Sequence, residues 1–206
     1  MAEVDLSVIV PVYNLERFIQ PLLDSLKSQQ LGRYKVEYIF VFNNCTDRSE
    51  EIVRESGLPC KILYCTEHQS CGSARNVGFE QAQGKWIWFI DGDDWLMDDK
   101  AIAIVLDKVI ANDYPIYRIQ YESDNFHMLW FAMVWQYVFK KTYIDEFRFP
   151  DIQPCEDDMF MDMVFKKYGC TRDNYLRIPC TSSPYYFYHY GREGSNMWRV
   201  HRGEKI

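Results

Sequence analysis

Carboxylates end a run of apolar residues in the segment WIWFIDGDDW, residues 86–95. The acids are Asp91, Asp93 and Asp94. Carboxylates at the end of a buried strand repel one another and lose hydration, which is tolerable mainly when a cation lies between them. Oxygen ligands with no His or Cys beside them favour Mg²⁺ or Mn²⁺ over Zn²⁺. This segment predicts a metal site at a strand end, and a solvated Asp-Gly turn is the alternative.

Three familiar acidic or nucleotide-binding motifs are excluded by spacing. A calcium loop needs Glu at its twelfth position, and counting from Asp91 or Asp93 reaches Ile102 or Ile104. A dinucleotide-binding domain would carry G-x-G-x-x-G after its first strand, where this chain has PVYNLE. The pattern G-x-x-x-x-G-K-[ST] of P-loop proteins does not occur.

The elements that must position these acids alternate between strand and helix. Strand-like runs are LSVIVPV (6–12), VEYIFVF (36–42), KILYC (61–65) and WIWFI (86–90), each of the first three followed by a helical pattern. We expect a kink or a late helix start at Pro21, a capping box formed by Asp47 and Glu50, and a helix stop at Gly84. The alternation predicts an α/β domain with a mostly parallel sheet covered on both faces.

The pattern loosens after residue 97. We predict a helix over 98–113, a strand over 115–121, an aromatic segment over 127–139, a helix over 157–168, and a strand from 182 that runs into a Gly-punctuated loop. Met159, Phe160, Met163 and Val164 are expected to form the core face of the 157–168 helix.

Composition narrows the class of protein. A chain of 206 residues suits one domain with a proper core. A net charge of −7 argues against a protein that coats nucleic acid. No run approaches the roughly 20 apolar residues that span a bilayer, and the start MAEVDLSVIV lacks a signal peptide's basic flank. The seven cysteines include no C-x-x-C pair, so we expect reduced thiols and a cytoplasmic location.

Six motifs together resemble the family 2 glycosyltransferases. In chain order they are VIVPVYN, NNCTDRSEEI, GSARNVGFEQAQGKWIWFIDGDDW, VWQYVFKKTYI, PCEDDMF and REGS, and the likeness covers about residues 4–196. The resemblance implies the GT-A fold, a single Rossmann-like, mostly parallel twisted sheet with helices on both faces. It also implies one domain over 1–206, with a nucleotide-sugar-binding half (1–97) and an acceptor-binding half (98–206) that ends in a closing C-terminal loop.

The resemblance also assigns donor-binding residues. Pro11, Val12 and Tyr13 would line the nucleobase and ribose pocket, with the Tyr13 ring available for stacking. Asn43 stands where the family usually has an Asp that accepts a hydrogen bond from uracil, and an amide can still accept one. Arg75 would reach the nucleotide, and an ordinary surface arginine on a helix is the alternative.

The metal and the diphosphate have their own implied residues. Asp91 and Asp93 match the family's D-x-D signature, with Asp91 directed toward the ribose or the Mn²⁺ or Mg²⁺ ion and Asp93 toward the ion, and Gly92 between them would let the backbone approach the phosphates. Arg192 and Ser195, in REGS, match a loop that closes over the diphosphate, with a plain surface turn as the alternative.

The second acidic group, CEDD at 155–158, would supply the base. Displacement at a sugar carbon needs a group that takes the proton of the attacking hydroxyl, and Asp157 matches the family's base. We expect the dipole of the helix that begins there to favour its ionised form. Glu156 would orient the acceptor or the loop. The alternative is that these acids only cap the helix.

The resulting hypothesis is an inverting, metal-dependent hexosyl- or pentosyltransferase that uses a nucleotide-sugar donor, preferably a UDP-sugar. The alternatives are a non-catalytic nucleotide-sugar-binding relative and a sugar-nucleotidyltransferase, which would need a Gly-rich basic loop after the first strand. The acceptor stays open among a glycan, a lipid-linked glycan, a small molecule and a hydroxylated nucleobase. We expect two alternative roles for the remaining large ring side chains, stacking on a sugar or base and packing in the core. These residues are Trp95, His127, Trp130 and Trp135.

Overall fold

The computed structural model describes residues 3–66, 70–124, 133–152, 156–171 and 177–189. In these ranges the strands are β1 (Leu6–Val12), β2 (Val36–Asn43), β3 (Lys61–Cys65), β4 (Trp86–Phe89), β5 (Trp95–Leu96), β6 (Ile116–Ser123), β7 (Tyr137–Lys140) and β8 (Cys180–Tyr188). The helices are α1 (Gln20–Lys27), α2 (Ser49–Glu55), α3 (Cys71–Gln81), α4 (Ala101–Asn112), α5 (Lys141–Ile144) and α6 (Glu156–Tyr168). A 3₁₀ turn at Val134–Gln136 precedes β7.

One sheet contains all these strands, in the order β3-β2-β1-β4-β7-β6-β8-β5. The first four are parallel, β7 is antiparallel to both of its neighbours, β8 runs parallel to β6, and β5 is antiparallel to β8. Only β7 and β5 therefore oppose the common direction. The predicted fold class, α/β with a mostly parallel sheet, is confirmed.

The sheet curls so that its far edge returns to the first helix. The backbone N–H of Leu96 in β5 donates to Ser25 Oγ of α1 at 3.2 Å. The side chain of Gln29, just beyond α1, donates to the carbonyl of Asp98 at 2.8 Å. Strand β5 therefore lies close to the elements that follow β1, although the two strands are far apart in the order of the sheet.

Alternate residues of the strands pack into two apolar layers. In β1, Val8 and Val10 face the layer formed with α1, α2 and α4, and Ile9 faces the layer formed with α3, α5 and α6. In β4, Trp88 and Phe89 divide in the same way. Helices therefore cover both faces, which explains why the run before Asp91 is apolar at every position.

Two of the predicted helix ends need comment. Helix α1 starts late, at Gln20, and Pro21 lies in its first turn, where a missing N–H costs no helical hydrogen bond. Helix α3 ends at Gln81, before Gly84. A Cβ at Gly84 would lie 2.3 Å from the backbone nitrogen of Ser7, so this glycine lets the chain pass close to β1.

The predicted capping box at α2 is wrong, because Asp47 lies one position before the N-cap residue, Arg48. Asp47 Oδ1 accepts from the backbone N–H of Ser49 at 3.0 Å, as expected of a residue that precedes a helix. Glu50 does not return the bond, because its carboxylate accepts from Arg54 at 2.8 Å and from the Tyr64 hydroxyl at 2.6 Å. A salt bridge one turn along the helix replaces the second half of the box.

The predicted core face of α6 is also wrong in part. Met159 is 50% exposed, whereas Phe160, Met161, Val164 and Phe165 are buried. The helix is rotated so that its inward stripe continues through Asp157 at its start. This rotation carries a carboxylate into the interior of the domain.

Two expectations about chain chemistry bear on the described residues. Six of the cysteines lie in these ranges, and no disulfide joins any of them. None of the helices described is long and apolar enough to cross a bilayer.

Candidate active site

The carboxyl ends of the parallel strands meet at one edge of the sheet. Val12 lies opposite Phe42, and Asn43 lies opposite Cys65. Tyr13, directly after β1, is 59% exposed. Pro11 and Val12 are buried, and Val12 packs in the core, so a ligand at this edge would meet their backbone and the Tyr13 ring.

The loops after β1 and β2 bind each other's main chain. Asn14 Oδ1 accepts from the N–H of Thr46 at 2.8 Å. Asp47 Oδ2 accepts from the N–H of Glu16 at 2.9 Å, and Glu16 Oε2 accepts from the N–H of Arg48 at 3.0 Å. Asn14 has φ +50°, a conformation that asparagine tolerates better than most residues. The two loops are therefore tied together at the predicted nucleobase pocket.

Asn43 is buried, with 4% exposure, beside these loops. Its Nδ2 donates to the carbonyl of Ser70 at 3.2 Å, and its Oδ1 accepts from Asn44 Nδ2 at 3.4 Å. The side chain therefore ties the end of β2 to the start of α3. The predicted contact with uracil stays a prediction.

Arg75 joins the two acidic clusters. Its Nη2 donates to Asp91 Oδ1 at 2.7 Å, and its Nη1 donates to Asp157 Oδ1 at 2.5 Å and to Glu156 Oε1 at 3.2 Å. Only 3% of the arginine side chain is exposed, so the alternative of an ordinary surface arginine is wrong. The Phe149 ring lies 5.4 Å from the guanidinium carbon. One cation therefore holds carboxylates from the end of β4 and from the start of α6.

Burial dominates the electrostatics of Asp157. Loss of hydration raises the pKa of this carboxyl to about 7, the Arg75 charge opposes that rise, and the charges of Glu156 and Asp91 add to it. Burial therefore outweighs the expected preference of the helix dipole for the ionised form of Asp157, because the group is inside the protein rather than at an exposed helix end. A carboxyl with this pKa can both accept and release a proton near neutrality.

The segment before α6 is fastened to α3. Asn76, next to Arg75, donates through Nδ2 to the carbonyl of Phe149 at 2.8 Å and accepts from the N–H of Phe149 at 2.9 Å. The hydroxyls of Ser70 and Ser73 each lie 2.8 Å from Asp151 Oδ1. These contacts fix the approach of the chain toward Asp157 from the side of α3.

The turn after β4 packs tightly. A Cβ at Gly92 would lie 2.5 Å from Cδ1 of Leu15, so a larger residue here would have to displace that side chain, besides obstructing the phosphate approach predicted for the glycine. Asp91 and Asp93 are partly exposed, whereas Asp94 is fully buried. Asp94 Oδ2 accepts from the Tyr186 hydroxyl at 2.5 Å, and Oδ1 accepts from the N–H of His189 at 2.8 Å.

The donor set at this turn suits a hard divalent cation. Asp91 and Asp93 offer carboxylate oxygens, and 22% of the Asp91 side chain is exposed although Arg75 binds its Oδ1. Across the described part of the chain, no three His, Cys, Asp or Glu side chains gather into a complete metal site. A cation here would therefore take its other ligands from water and from a bound diphosphate, the usual arrangement for Mg²⁺.

The remaining predicted site residues divide into two groups. Trp135 is buried and stacked on Tyr186 at 4.6 Å, so it belongs to the core, and Trp95 stacks on Phe187 at 4.1 Å. Arg192, Ser195, His127 and Trp130 lie outside the described residues.

Residues 7–169 match the family model described as "Glycosyl transferase family 2". The chain belongs to this family. The expected resemblance is thereby confirmed at the level of the family, over a region that includes both acidic clusters and Arg75.

Curated members of family 2 match over part of their length. The chain is 33% identical to the glycosyltransferase GlyA of Streptococcus pneumoniae over 148 residues, which is 67% of this chain and 20% of GlyA. It is 37% identical over 93 residues to the poly(ribitol-phosphate) beta-N-acetylglucosaminyltransferase TarS of Staphylococcus aureus, which is 44% of this chain and 16% of TarS. The chain thus spans a fifth or less of these two relatives.

Solved structures of family 2 enzymes and related transferases share the fold. S. aureus TarS 1–349, crystallised with UDP-GlcNAc, superposes with a TM-score of 0.80 at 24% identity, covering 94% of this chain and 60% of that one. The mannosyltransferase PcManGT of Pyrobaculum calidifontis, crystallised with GDP-Man and Mn²⁺, gives a TM-score of 0.72 at 17% identity, covering 98% and 61%.

In this family 2 domain, sequence reasoning missed Asn76, Tyr186 and the contacts of Asp94. Asn76 stands beside Arg75 in the ARN motif, so its position was a usable signal. Tyr186 lies in a strand crowded with aromatic residues and 95 positions from Asp91, and no spacing connects the two.

Proposed function

We propose that this chain is an inverting glycosyltransferase domain that moves a sugar from a UDP-sugar to an acceptor hydroxyl, with Asp157 as the general base. Residues 1–97 form the donor half and residues 98–206 the acceptor half in this proposal. The supporting observation is the Arg75 guanidinium, which contacts Asp91 and Asp157 at once. The two acidic clusters thus adjoin one another, so that a donor and an acceptor bound between them would reach both.

The reaction uses each cluster differently. The acceptor oxygen attacks the anomeric carbon, the bond from that carbon to the diphosphate oxygen breaks, and the electron pair leaves with the diphosphate. A carboxylate oxygen of Asp157 takes the acceptor proton. A divalent cation held by Asp91 and Asp93 would neutralise charge on the diphosphate. Glu156 helps to hold Arg75, which fits an orienting role for this residue.

The proposed binding site for the donor lies at the edge of the sheet where the parallel strands have their carboxyl ends. Tyr13 is exposed for stacking on a base, and the tied loops beside it present Asn43 and the backbone of Pro11 and Val12. TarS, to which this chain is 37% identical over 93 residues, was crystallised with UDP-GlcNAc, and this supports UDP as the first nucleotide to test. Arg192 and Ser195 are proposed to contact the diphosphate.

The donor can be found without knowledge of the acceptor. We expect a nucleotide sugar to raise the melting temperature of the protein in the presence of Mn²⁺, because a ligand of the folded state stabilises it. Nucleotide release from that donor, with and without candidate acceptor glycans, lipid-linked glycans, small molecules or hydroxylated nucleobases, then separates transfer from binding alone.

The decisive variant is Asp157→Asn. It keeps the shape of the side chain and removes the base, so turnover should fall by about a thousandfold while donor binding persists. Asp158→Asn is the matched control, because Asp158 is half-buried in the same helical turn, and its turnover should stay within a few-fold of wild type. A near wild-type rate for Asp157→Asn would show that Asp157 is not the base.

A further inference from the structure

Asp94 is a buried acid with no part in the reaction proposed above. It is 0% exposed and lies directly after Asp93. The contacts described for its carboxylate are the Tyr186 hydroxyl and the N–H of His189, both uncharged donors. Burying an ionisable group in this way is costly, so the arrangement needs a reason.

Tyr186 connects this acid to the first residue of the same turn. Its hydroxyl donates to Asp94 Oδ2 at 2.5 Å and accepts from the N–H of Asp91 at 3.2 Å. The hydroxyl therefore bridges the two ends of the turn Asp91–Asp94. The turn also closes on itself, since the N–H of Asp94 donates to the carbonyl of Asp91 at 3.2 Å.

The tyrosine ring is itself held firmly. Tyr186 is 0% exposed and stacks on Trp135 with a ring separation of 4.6 Å and an interplanar angle of 6°. The backbone carbonyl of Trp135 accepts from Trp88 Nε1 at 2.9 Å, which ties this stack to β4. The Tyr186 hydroxyl is therefore held in one position, and the turn Asp91–Asp94 packs against it.

Asp91 is consequently held at two places. Tyr186 binds its backbone N–H, and Arg75 binds its carboxylate. We propose that Tyr186, held in place by Asp94, is a positioning residue that sets the direction of the Asp91 carboxylate and so the cation affinity of the D-x-D turn. This inference rests on the metal role proposed for Asp91 and Asp93.

The test is Tyr186→Phe, which removes one oxygen, keeps the stacked ring and changes no charge. Mn²⁺ affinity is measured by calorimetric titration of the whole chain at saturating UDP, and UDP affinity is measured separately without metal. We expect the Mn²⁺ dissociation constant to rise about tenfold, the scale of losing an outer-shell partner of a metal ligand, with metal-free UDP affinity unchanged. A merely structural role would weaken both or neither.

Tyr117→Phe is the matched control. Tyr117 is 4% exposed in β6, the strand beside β8, and its ring stacks on Tyr114 at 5.6 Å. Its Mn²⁺ affinity should equal that of wild type. If Tyr186→Phe does not fold, Asp94→Asn takes its place with the same expectation, because an amide has one acceptor oxygen where the Asp94 carboxyl uses both of its oxygens, and the tyrosine is kept.

The outcomes are distinguishable. A wild-type protein that binds UDP but not Mn²⁺ overturns the metal role and this inference together. A wild-type protein that binds Mn²⁺, with a folded Tyr186→Phe variant of equal Mn²⁺ affinity, overturns the inference alone. A selective loss of Mn²⁺ affinity supports it.

Discussion

The two acidic clusters use opposite means to keep carboxylates inside the protein. Glu156 and Asp157 are buried at the start of a helix and are held by a cation, Arg75. Asp94 is buried in the turn after a strand and is held by a hydroxyl and a backbone N–H. In the proposed reaction the first arrangement holds the group that accepts the proton, whereas the second ties the two ends of a turn together.

Arg75 contacts both clusters, and the clusters differ in how much of their carboxylate side chains is exposed. Asp91 retains 22% exposure of its side chain, against 9% for Asp157. An exposed acid beside a cationic partner can exchange that partner for another cation, whereas a buried one is more suited to exchanging a proton. We therefore expect metal removal to act through Asp91 and Asp93, and a change of pH to act through Asp157.

Of the three tests that follow, the largest effect is expected from breaking the metal site proposed at Asp91 and Asp93. Asp93→Asn, or EDTA added to wild type, should lower turnover by about a hundredfold or more, because the cation supplies several kcal/mol of charge stabilisation. Turnover of the nucleotide sugar is the measurement, and added Mn²⁺ should restore the EDTA-treated enzyme. Asp107→Asn, on the exposed surface of α4, is the control and should be unaffected. Full turnover in EDTA would contradict the metal role.

Arg75→Met breaks the link between the clusters. It leaves buried carboxylates without their cation, so we expect a loss of about 3 kcal/mol in the free energy of unfolding at neutral pH. Chemical denaturation measures it. Arg48→Met is the control, because the Arg48–Glu51 pair is 66% and 50% exposed and its loss should leave the free energy of unfolding nearly unchanged. Equal losses in the two variants would contradict the bridging role of Arg75.

A smaller effect, which also tests the difference between the two clusters, is expected in the dependence of kcat/KM on pH. Asp157 must be ionised to accept a proton, and burial raises its pKa to about 7. As pH falls below this value the protonated form accumulates, so kcat/KM should drop about tenfold for each further pH unit. Rates between about pH 5 and about pH 9 at fixed Mn²⁺ measure this. The residual activity of Asp157→Asn should lack this acid limb, and a wild-type midpoint near the ordinary aspartate value would contradict the prediction.

The fold was predictable because its first half repeats one pattern. Strands buried on both faces appear as unbroken apolar runs, and β1 to β4 were located within one or two residues. The short strand β5 and the elements β7 and α5 were not predicted, since runs of two to four residues carry no periodicity.

The site was predictable where chain position decides it. Asp91 and Asp93 follow a strand, and the rule that ligands bind beyond strand ends was sufficient to locate them. The bonds of Arg75 to Asp157 and of Asp91 to Tyr186 join residues 82 and 95 positions apart. Such contacts depend on how the sheet curls and how α6 is rotated, and neither property is present in the local sequence.

The mutual binding of the loops after β1 and β2 has a thermodynamic consequence. Each loop fixes the main chain of the other through Asn14, Glu16 and Asp47, so their conformational entropy is given up when the domain folds. A nucleotide that binds against these loops does not have to order them. The loss of conformational entropy on binding is therefore smaller and the affinity is higher. Cutting one of these bonds should therefore weaken nucleotide binding even though the bond touches no ligand.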